Sequence, residues 1–412
     1  MTRRFAYACY RCDSELPVGH PIDSRGCPRC LDEAPSNLRL VYRGDIAEEG
    51  KLTKKEQPPS LWRYANRLPF REDAAVSLGE GLTPLRPAAR LGAEIGVPAL
   101  FIKNEGHNPT WSHKDRFSTV AITAAQQAGA STVATSSTGN AGASLAAYAA
   151  RAGLSCVVAT AAGSAGPMLT QIEKYGAQVI PFENKSDRWA FLAEGVERFG
   201  WFATSPYRHP VVGSHPIGIE GYKTLAFEIV EQMGGAVPDW CALPVCYGDA
   251  LAGLWLGFKE LLRDGEIARM PRLLAAEVHG SLALALDQGI DRVPDVTARF
   301  NTLAVSIGAT RSTFQALKAL RETRGIAVPV SNDGLIALQE KTAGMEGIFL
   351  ELSSVVPIAA ILAARQQGVI GSHEAVVAVV TASGLKDVDK SNPAAISRSF
   401  STVDAALEVI GA

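Results

Sequence analysis

Between Ser131 and Phe199 short apolar runs alternate with helical stretches, and this rhythm narrows the fold more than any other feature of the chain. Ser131–Thr135, Leu154–Thr160 and Ala177–Phe182 read as strands. Ala141–Ala152, Pro167–Tyr175 and Arg188–Phe199 read as helices, the first two closed by Gly153 and Gly176. Strand–helix–strand units of this length join parallel strands through right-handed crossovers. The rhythm resumes with Cys241–Val245, Leu273–Val278, Ile326–Val330, Ile348–Leu352 and Ala375–Val380 as further strands. The body is therefore expected to be α/β, with open parallel sheets covered on both faces. Ligands of such sheets gather at the carboxyl ends of strands, where loops meet helix N-termini.

Composition removes several classes of function. The 412 residues make two or three domains at about 150 residues each. Lys and Arg number 40 against 42 Asp and Glu, a net charge of −2, which argues against gripping nucleic acid or an anionic membrane. No run of 18 or more apolar residues is free of charged or turn residues, so no membrane span is expected. The first ten residues carry arginines with no apolar run behind them, unlike a secretory signal. Seven cysteines, an odd number, fit a reducing cytoplasm better than a disulfide scaffold.

Four of those cysteines form a pattern. Cys9-x-x-Cys12 and Cys27-x-x-Cys30 are separated by 14 residues. Two such knuckles make a tetrahedral four-thiolate site, the closed geometry of structural zinc. Gly19, Gly26 and Pro28 supply the turns of a ribbon over residues 1–40. Cys156 and Cys241 sit in apolar runs and read as small buried hydrophobes. The charged stretch Arg43–Lys55 and Gln57-Pro58-Pro59-Ser60 read as a linker, 41–60, before the first packed element at Leu61–Tyr64.

Two loops carry chemistry. Asn108-Pro109 is a turn signal, Phe117–Ala128 looks helical, and Lys114 falls between them. A lysine at a helix N-terminus meets the positive end of the dipole, which lowers its pKa as a nucleophilic amine requires. A solvated lysine beside Asp115 is the plainer alternative from these residues alone. Ser136–Gly142 offers three hydroxyls, an amide and backbone N–H groups between a strand and a helix, a setting that suits a carboxylate or phosphate.

Asn108–Arg116, Ser136–Ser144, Glu220–Thr224, Gly347–Ser354 and Thr381–Asp387, in that order, resemble the threonine synthases. More widely they resemble the fold type II, tryptophan-synthase-β-type enzymes that use pyridoxal 5′-phosphate. Several such enzymes also carry an N-terminal cysteine ribbon. The resemblance implies two open parallel-sheet domains: a large cofactor-binding one from 61–108 and 206–400, and a small one from 109–205. It implies a lyase acting on a small amino acid, a homodimer by family habit, and a reaction from O-phosphohomoserine to threonine by γ-elimination and β-addition of water. A related enzyme eliminating or replacing a β-substituent on another, acidic amino acid remains the alternative. By resemblance, Lys114 is the cofactor-linked catalytic lysine. Asn140 bonds the pyridoxal 3′-oxygen, and Thr381 faces the pyridine nitrogen. Ser137, Thr138 and Ala141 hold the substrate carboxylate. Arg116 reaches an anionic substrate group or supports the lysine's loop.

The chain departs from that pattern at four places. The cofactor-phosphate loop follows Leu243-Pro244-Val245 as Cys246-Tyr247-Gly248-Asp249-Ala250, with only Gly248 left of the expected glycines. Backbone N–H groups can still form the cradle. Asp249 is expected to face away from the phosphate, capping the helix Leu251–Leu262. Cys246 is either a contact or a strand-end filler. His113 stands where the family has Phe, to relay a proton, bind an anion or pack. Gly218 replaces an arginine, and Trp111 stands at a position that is often glycine.

Overall fold

The computed structural model describes residues 5–17, 20, 22, 24–31, 33–43, 58–391 and 399–410. Gly19 and residues 44–57 of the expected linker lie outside them. Three strands near the N-terminus, β1 (Phe5–Cys9), β2 (Glu15–Leu16) and β3 (Leu38–Tyr42), form an antiparallel sheet in the order β2-β1-β3. They are followed by β4 (Leu85–Pro87) and β5 (Leu100–Asn104). Next come β6 (Thr132–Ser136), β7 (Ser155–Ala161), β8 (Gln178–Phe182) and β9 (Phe202–Ala203). The last group is β10 (Trp240–Pro244), β11 (Arg272–Glu277), β12 (Ile326–Pro329) and β13 (Val376–Val380).

The large sheet runs β12-β11-β10-β13-β5-β4, parallel except for β4. The small sheet runs β8-β7-β6-β9 and is parallel throughout. At the centre of the large sheet, β10 and β13 are buried at every residue, as their unbroken apolar runs require. Proline cannot donate to a ladder: Pro87, Pro181 and Pro329 lie on edge strands, and Pro244 is the last residue of the central β10. Leu243, Leu273, Leu254, Trp255 and Phe258 pack on one face of the large sheet, and Trp240, Leu274, Val356 and Ile361 pack on the other.

Most expected elements fall within a few residues of their observed bounds. Ile348–Leu352 does not form a strand. Only a short segment separates the helix Leu335–Glu346 from the helix Leu352–Gln366, so no strand can reach the sheet. Leu350 instead makes an isolated bridge to Ser383. The helix expected at Phe117 starts at Lys114 and runs to Gln127. Ser112 Oγ accepts the Lys114 N–H at 3.3 Å, and the Asp115 carboxylate takes the Thr110 N–H and hydroxyl at 2.7 and 2.5 Å. These bonds wind the extra turn.

The N-terminal sheet is docked on helices that pack against the large one. Tyr10 is fully buried against Trp255, ring centroids 6.1 Å apart, and its carbonyl accepts from Lys318 Nζ at 2.8 Å. Asn37 Nδ2 donates to the Ser214 carbonyl at 3.0 Å. Among the described residues no helix is long and apolar enough to cross a membrane.

Candidate functional site

The loops singled out above follow the carboxyl ends of β5, β6, β10 and β13, as open parallel sheets lead one to expect. The Lys114 loop is zipped onto the end of β13. Ser112 bridges Ala382, the His113 N–H donates to the Thr381 carbonyl at 2.8 Å, and the Ser383 N–H donates to the Trp111 carbonyl at 3.1 Å. Trp111 holds φ 66°, the left-handed region that glycine tolerates best, and is 45% exposed.

Lys114 opens its helix half-buried, with Nζ 6.0 Å from the Tyr222 ring centroid. Burial lowers the pKa of its amine, and the nearby acidic groups of Asp249, Cys246 and Glu351 oppose that shift. Two residues on, Arg116 is fully buried. Its guanidinium donates to Glu105 at 2.7 and 2.8 Å, to Glu228 at 2.6 and 2.8 Å, and to Thr224 and Thr83. Every donor is engaged with protein, so Arg116 does not reach a substrate. Of its two expected roles, these bonds fit support of the lysine's helix, and its place among the substrate contacts is corrected.

His113 stacks on Tyr222, centroids 5.4 Å apart, and its Nδ1 lies 3.3 Å from the Thr381 carbonyl. Burial, and then the Lys114 charge, push its pKa well below the usual value, so the ring is neutral at neutral pH. With Nδ1–H on that carbonyl, Nε2 is an acceptor and offers no charge to an anion. Gly218 has no room for a side chain, because a Cβ there would meet the Phe117 ring at 2.4 Å.

Thr381 is 5% exposed and shares a hydrogen bond with Ser354 Oγ at 3.0 Å. Ser354 Oγ also accepts the Ala382 N–H at 2.8 Å. Asn140 opens the helix Asn140–Ala152 and bonds across to the other sheet's loops, with Nδ2 donating to Glu351 at 2.6 Å. Glu351 also accepts the Ser306 hydroxyl. Ser137 Oγ accepts the N–H groups of Gly139 and Gly142 at 3.2 and 3.1 Å, which orders the helix start. Ala141 follows on the first turn, and Thr138 is exposed beside it.

The Val245–Ala250 loop leaves β10 with the Val245 N–H on the Ala276 carbonyl at 2.8 Å. Gly248, φ 89°, is the N-cap of the helix Asp249–Arg263, so Asp249 does not cap it as expected. The Asp249 carboxylate turns to the Ser214 N–H at 3.1 Å and lies 3.4 Å from Gln315 Nε2. Burial raises its pKa, and the Ser214 bond and the Lys114 charge oppose that shift. Cys246 and Tyr247 are half-buried.

Pyridoxal phosphate fits these residues. The depressed Lys114 amine is a nucleophile for an aldehyde. The Oδ1 of Asn140 is buried with no hydrogen-bond partner among the described residues, and a buried polar atom of this kind calls for a ligand. Glu351 and Ser354 were not assigned roles from the sequence. Both lie in the Gly347–Ser354 motif, which marked the segment without giving side-chain directions.

The cysteines also converge. The Sγ atoms of Cys9, Cys12, Cys27 and Cys30 all lie within 4.8 Å of one another, with Cys9–Cys30 and Cys12–Cys27 each at 3.8 Å. Thiolates about 2.3 Å from a zinc ion span edges of about 3.8 Å in a tetrahedron. The N–H groups of Arg11 and Cys12 lie 3.3 and 3.5 Å from Cys9 Sγ, as in a metal knuckle.

Residues 76–382 match the family model of the pyridoxal-phosphate dependent enzymes. The threonine synthase of Methanocaldococcus jannaschii is 34% identical over 92% of this chain and 93% of its own. That of Mycobacterium tuberculosis is 36% identical over 82% and 91%. Among solved structures, maize serine racemase superposes with a TM-score of 0.64 at 20% identity, covering 74% of this chain and 89% of that one. A threonine deaminase of Solanum lycopersicum gives 0.62 at 22%, covering 77% and 87%. At such identities these two structures speak to the fold alone. With the family model matched from 76 to 382 and relatives matched over nearly the whole chain, the protein belongs to the threonine synthase family of fold type II pyridoxal-phosphate-dependent lyases.

Proposed function

We propose that the protein converts O-phosphohomoserine to threonine. One observation carries this reading: two archaeal threonine synthases share 34% of their residues with this chain over 92% of its length. Residues 61–108 and 206–400 serve as the large, cofactor-binding domain and 109–205 as the small one. Lys114, Asn140, Thr381 and the loop Val245–Ala250 would hold pyridoxal phosphate. When bound, that cofactor withdraws electrons from the substrate and makes its Cα proton acidic. The Lys114 amine would accept that proton and deliver it to the neighbouring carbons, its low pKa keeping a neutral fraction available. Ser137 and the Asn140 and Ala141 amides would orient the substrate carboxylate at the helix N-terminus. Thr381, a neutral hydroxyl, would leave the pyridine nitrogen free of a forced proton. The four cysteines would hold one structural zinc, and metal content should fall from one ion per chain to none in Cys9→Ser.

A second reading has its own support. The Phe117 ring fills the space at Gly218 where the resemblance places an arginine, and His113, a neutral ring, stacks on Tyr222. Without that arginine a phosphorylated substrate loses a charged donor. An enzyme eliminating or replacing a β-substituent on another amino acid fits such a pocket. Purified enzyme with O-phosphohomoserine separates the two. Equal release of phosphate and threonine is the expected result. No phosphate release, with another amino acid consumed to a 2-oxo acid, would replace the first reading with the second.

A further inference from the structure

The Val245–Ala250 loop has lost most glycines of a phosphate cradle, but a second segment closes over it. Arg311–Thr313 leads into the helix Phe314–Glu322. The Thr313 hydroxyl donates to the Tyr247 carbonyl at 2.5 Å, which ties this segment to the loop. The Ser312 N–H donates to Ser281 Oγ at 3.0 Å, which fixes its backbone. A Cβ at Gly248 would lie 2.3 Å from the Ala316 Cβ and 3.4 Å from Ser312 Oγ. The Ser312 hydroxyl therefore sits against the glycine that opens the loop's helix.

Ser312 is 3% exposed, and its Oγ has no hydrogen-bond partner among the described residues. Buried hydroxyls are nearly always paired, and one left open at the mouth of an anion cradle asks for an acceptor from outside the chain. The first amides of the 15-residue helix Asp249–Arg263 start at the same point. Asp249, turned to Ser214, leaves the space to donors.

We propose that Ser312 is a side-chain donor to a phosphate monoester seated in the Val245–Ala250 loop, namely the 5′-phosphate of the cofactor. This rests on the assignment of that loop made above. The hydroxyl adds a side-chain donor to the backbone N–H groups that the loop keeps.

The test compares two ligands that differ only in the phosphate. Apoenzyme, wild type and Ser312→Ala, is titrated with pyridoxal 5′-phosphate and with pyridoxal, and binding is read from visible absorbance. Ser312→Ala should raise the dissociation constant for pyridoxal phosphate by about tenfold to a hundredfold, the value of a hydrogen bond to a charged group. Pyridoxal affinity should not move, which also reports that the variant is folded. A change below about threefold for pyridoxal phosphate would overturn the proposal. So would an equal loss for both ligands, which marks a packing role. Gly248→Ala is run in parallel. If it weakens pyridoxal phosphate and Ser312→Ala does not, only the role of Ser312 falls. If neither matters, the loop assignment falls with it.

Discussion

Lys114 and Arg116 stand two residues apart on one helical turn and meet opposite fates. Arg116 is fully buried, and its nitrogens donate to two carboxylates and two hydroxyls. Those carboxylates raise its pKa well above normal, although burial alone would lower it. The cluster continues through Lys103 Nζ, which bonds Glu228 at 2.6 Å. Lys114 is half-buried, and burial outweighs the acidic groups around it, so its pKa falls. A saturated charge fixes the helix, and an under-compensated one suits the reactive role proposed for Lys114. The pair teaches that function lies in what a buried cation lacks, and scaffold in what it has.

The sharpest way to break this contrast is to exchange the consequences. Lys114→Ala should cut turnover by about a thousandfold or more, the upper range of a lost acid–base group, while the thermal midpoint stays put. Turnover near wild type would remove Lys114 from its role. Arg116→Ala should do the reverse. Removing one partner of a buried pair leaves Glu105 and Glu228 uncompensated and costs about 3–5 kcal/mol, read from urea unfolding. Arg116→Lys should recover little of it, because an ammonium cannot reproduce the fork to two carboxylates. A stable Arg116→Ala protein with a specific rise in KM would return the residue to the substrate site.

A half-buried histidine sharpens the same point from the acid side. His215 Nδ1 accepts the Ile217 N–H at 3.3 Å, and burial holds its pKa down at about 4, against an ordinary 6.5. The unfolded chain takes the proton first as pH falls. The stability this group contributes is therefore complete above pH 6.5 and is lost between 6.5 and about 4, up to about 3 kcal/mol. His215→Asn keeps an acceptor for Ile217 and removes the titration. Urea midpoints of this variant should fall less steeply over that interval than those of wild type, and parallel slopes would refute the assignment.

Asp249 should give the smallest effect. Its carboxylate faces Ser214 and Gln315, bonded away from the phosphate loop. Asp249→Asn should change the pyridoxal-phosphate dissociation constant by less than about tenfold, under 1.4 kcal/mol. A much larger gain would mean that the carboxylate opposes the phosphate directly.

Much of this was legible in the sequence, for reasons that differ by residue. The parallel strands stand out because buried strands such as Val376–Val380 are continuous apolar runs. Lys114, Asn140 and Thr381 stand out because each ends a strand or opens a helix inside a recognisable motif. The fate of Arg116 was hidden, since Glu228 lies 112 residues away along the chain and only the fold joins them. Ile348–Leu352 misled because its apolar residues form a short link between two helices, with Leu350 and Leu352 buried and Phe349 exposed. Asp249 looked like a cap, but Gly248 in the left-handed region took that position and freed the carboxylate for Ser214. Ser312 carried no signal at all, because an unpaired hydroxyl is a property of its neighbours.

The central claim is that Lys114, among several buried lysines, is the one left reactive. Lys103, Lys223 and Lys386 are each at most 1% exposed, and each bonds to oxygen acceptors. Borohydride reduction of the holoenzyme, followed by peptide mass mapping, reads this directly. The expected result is one cofactor-derived mass per chain, carried by the peptide containing Lys114. The same mass on Lys103, Lys223 or Lys386, with Lys114 unlabelled, would contradict it.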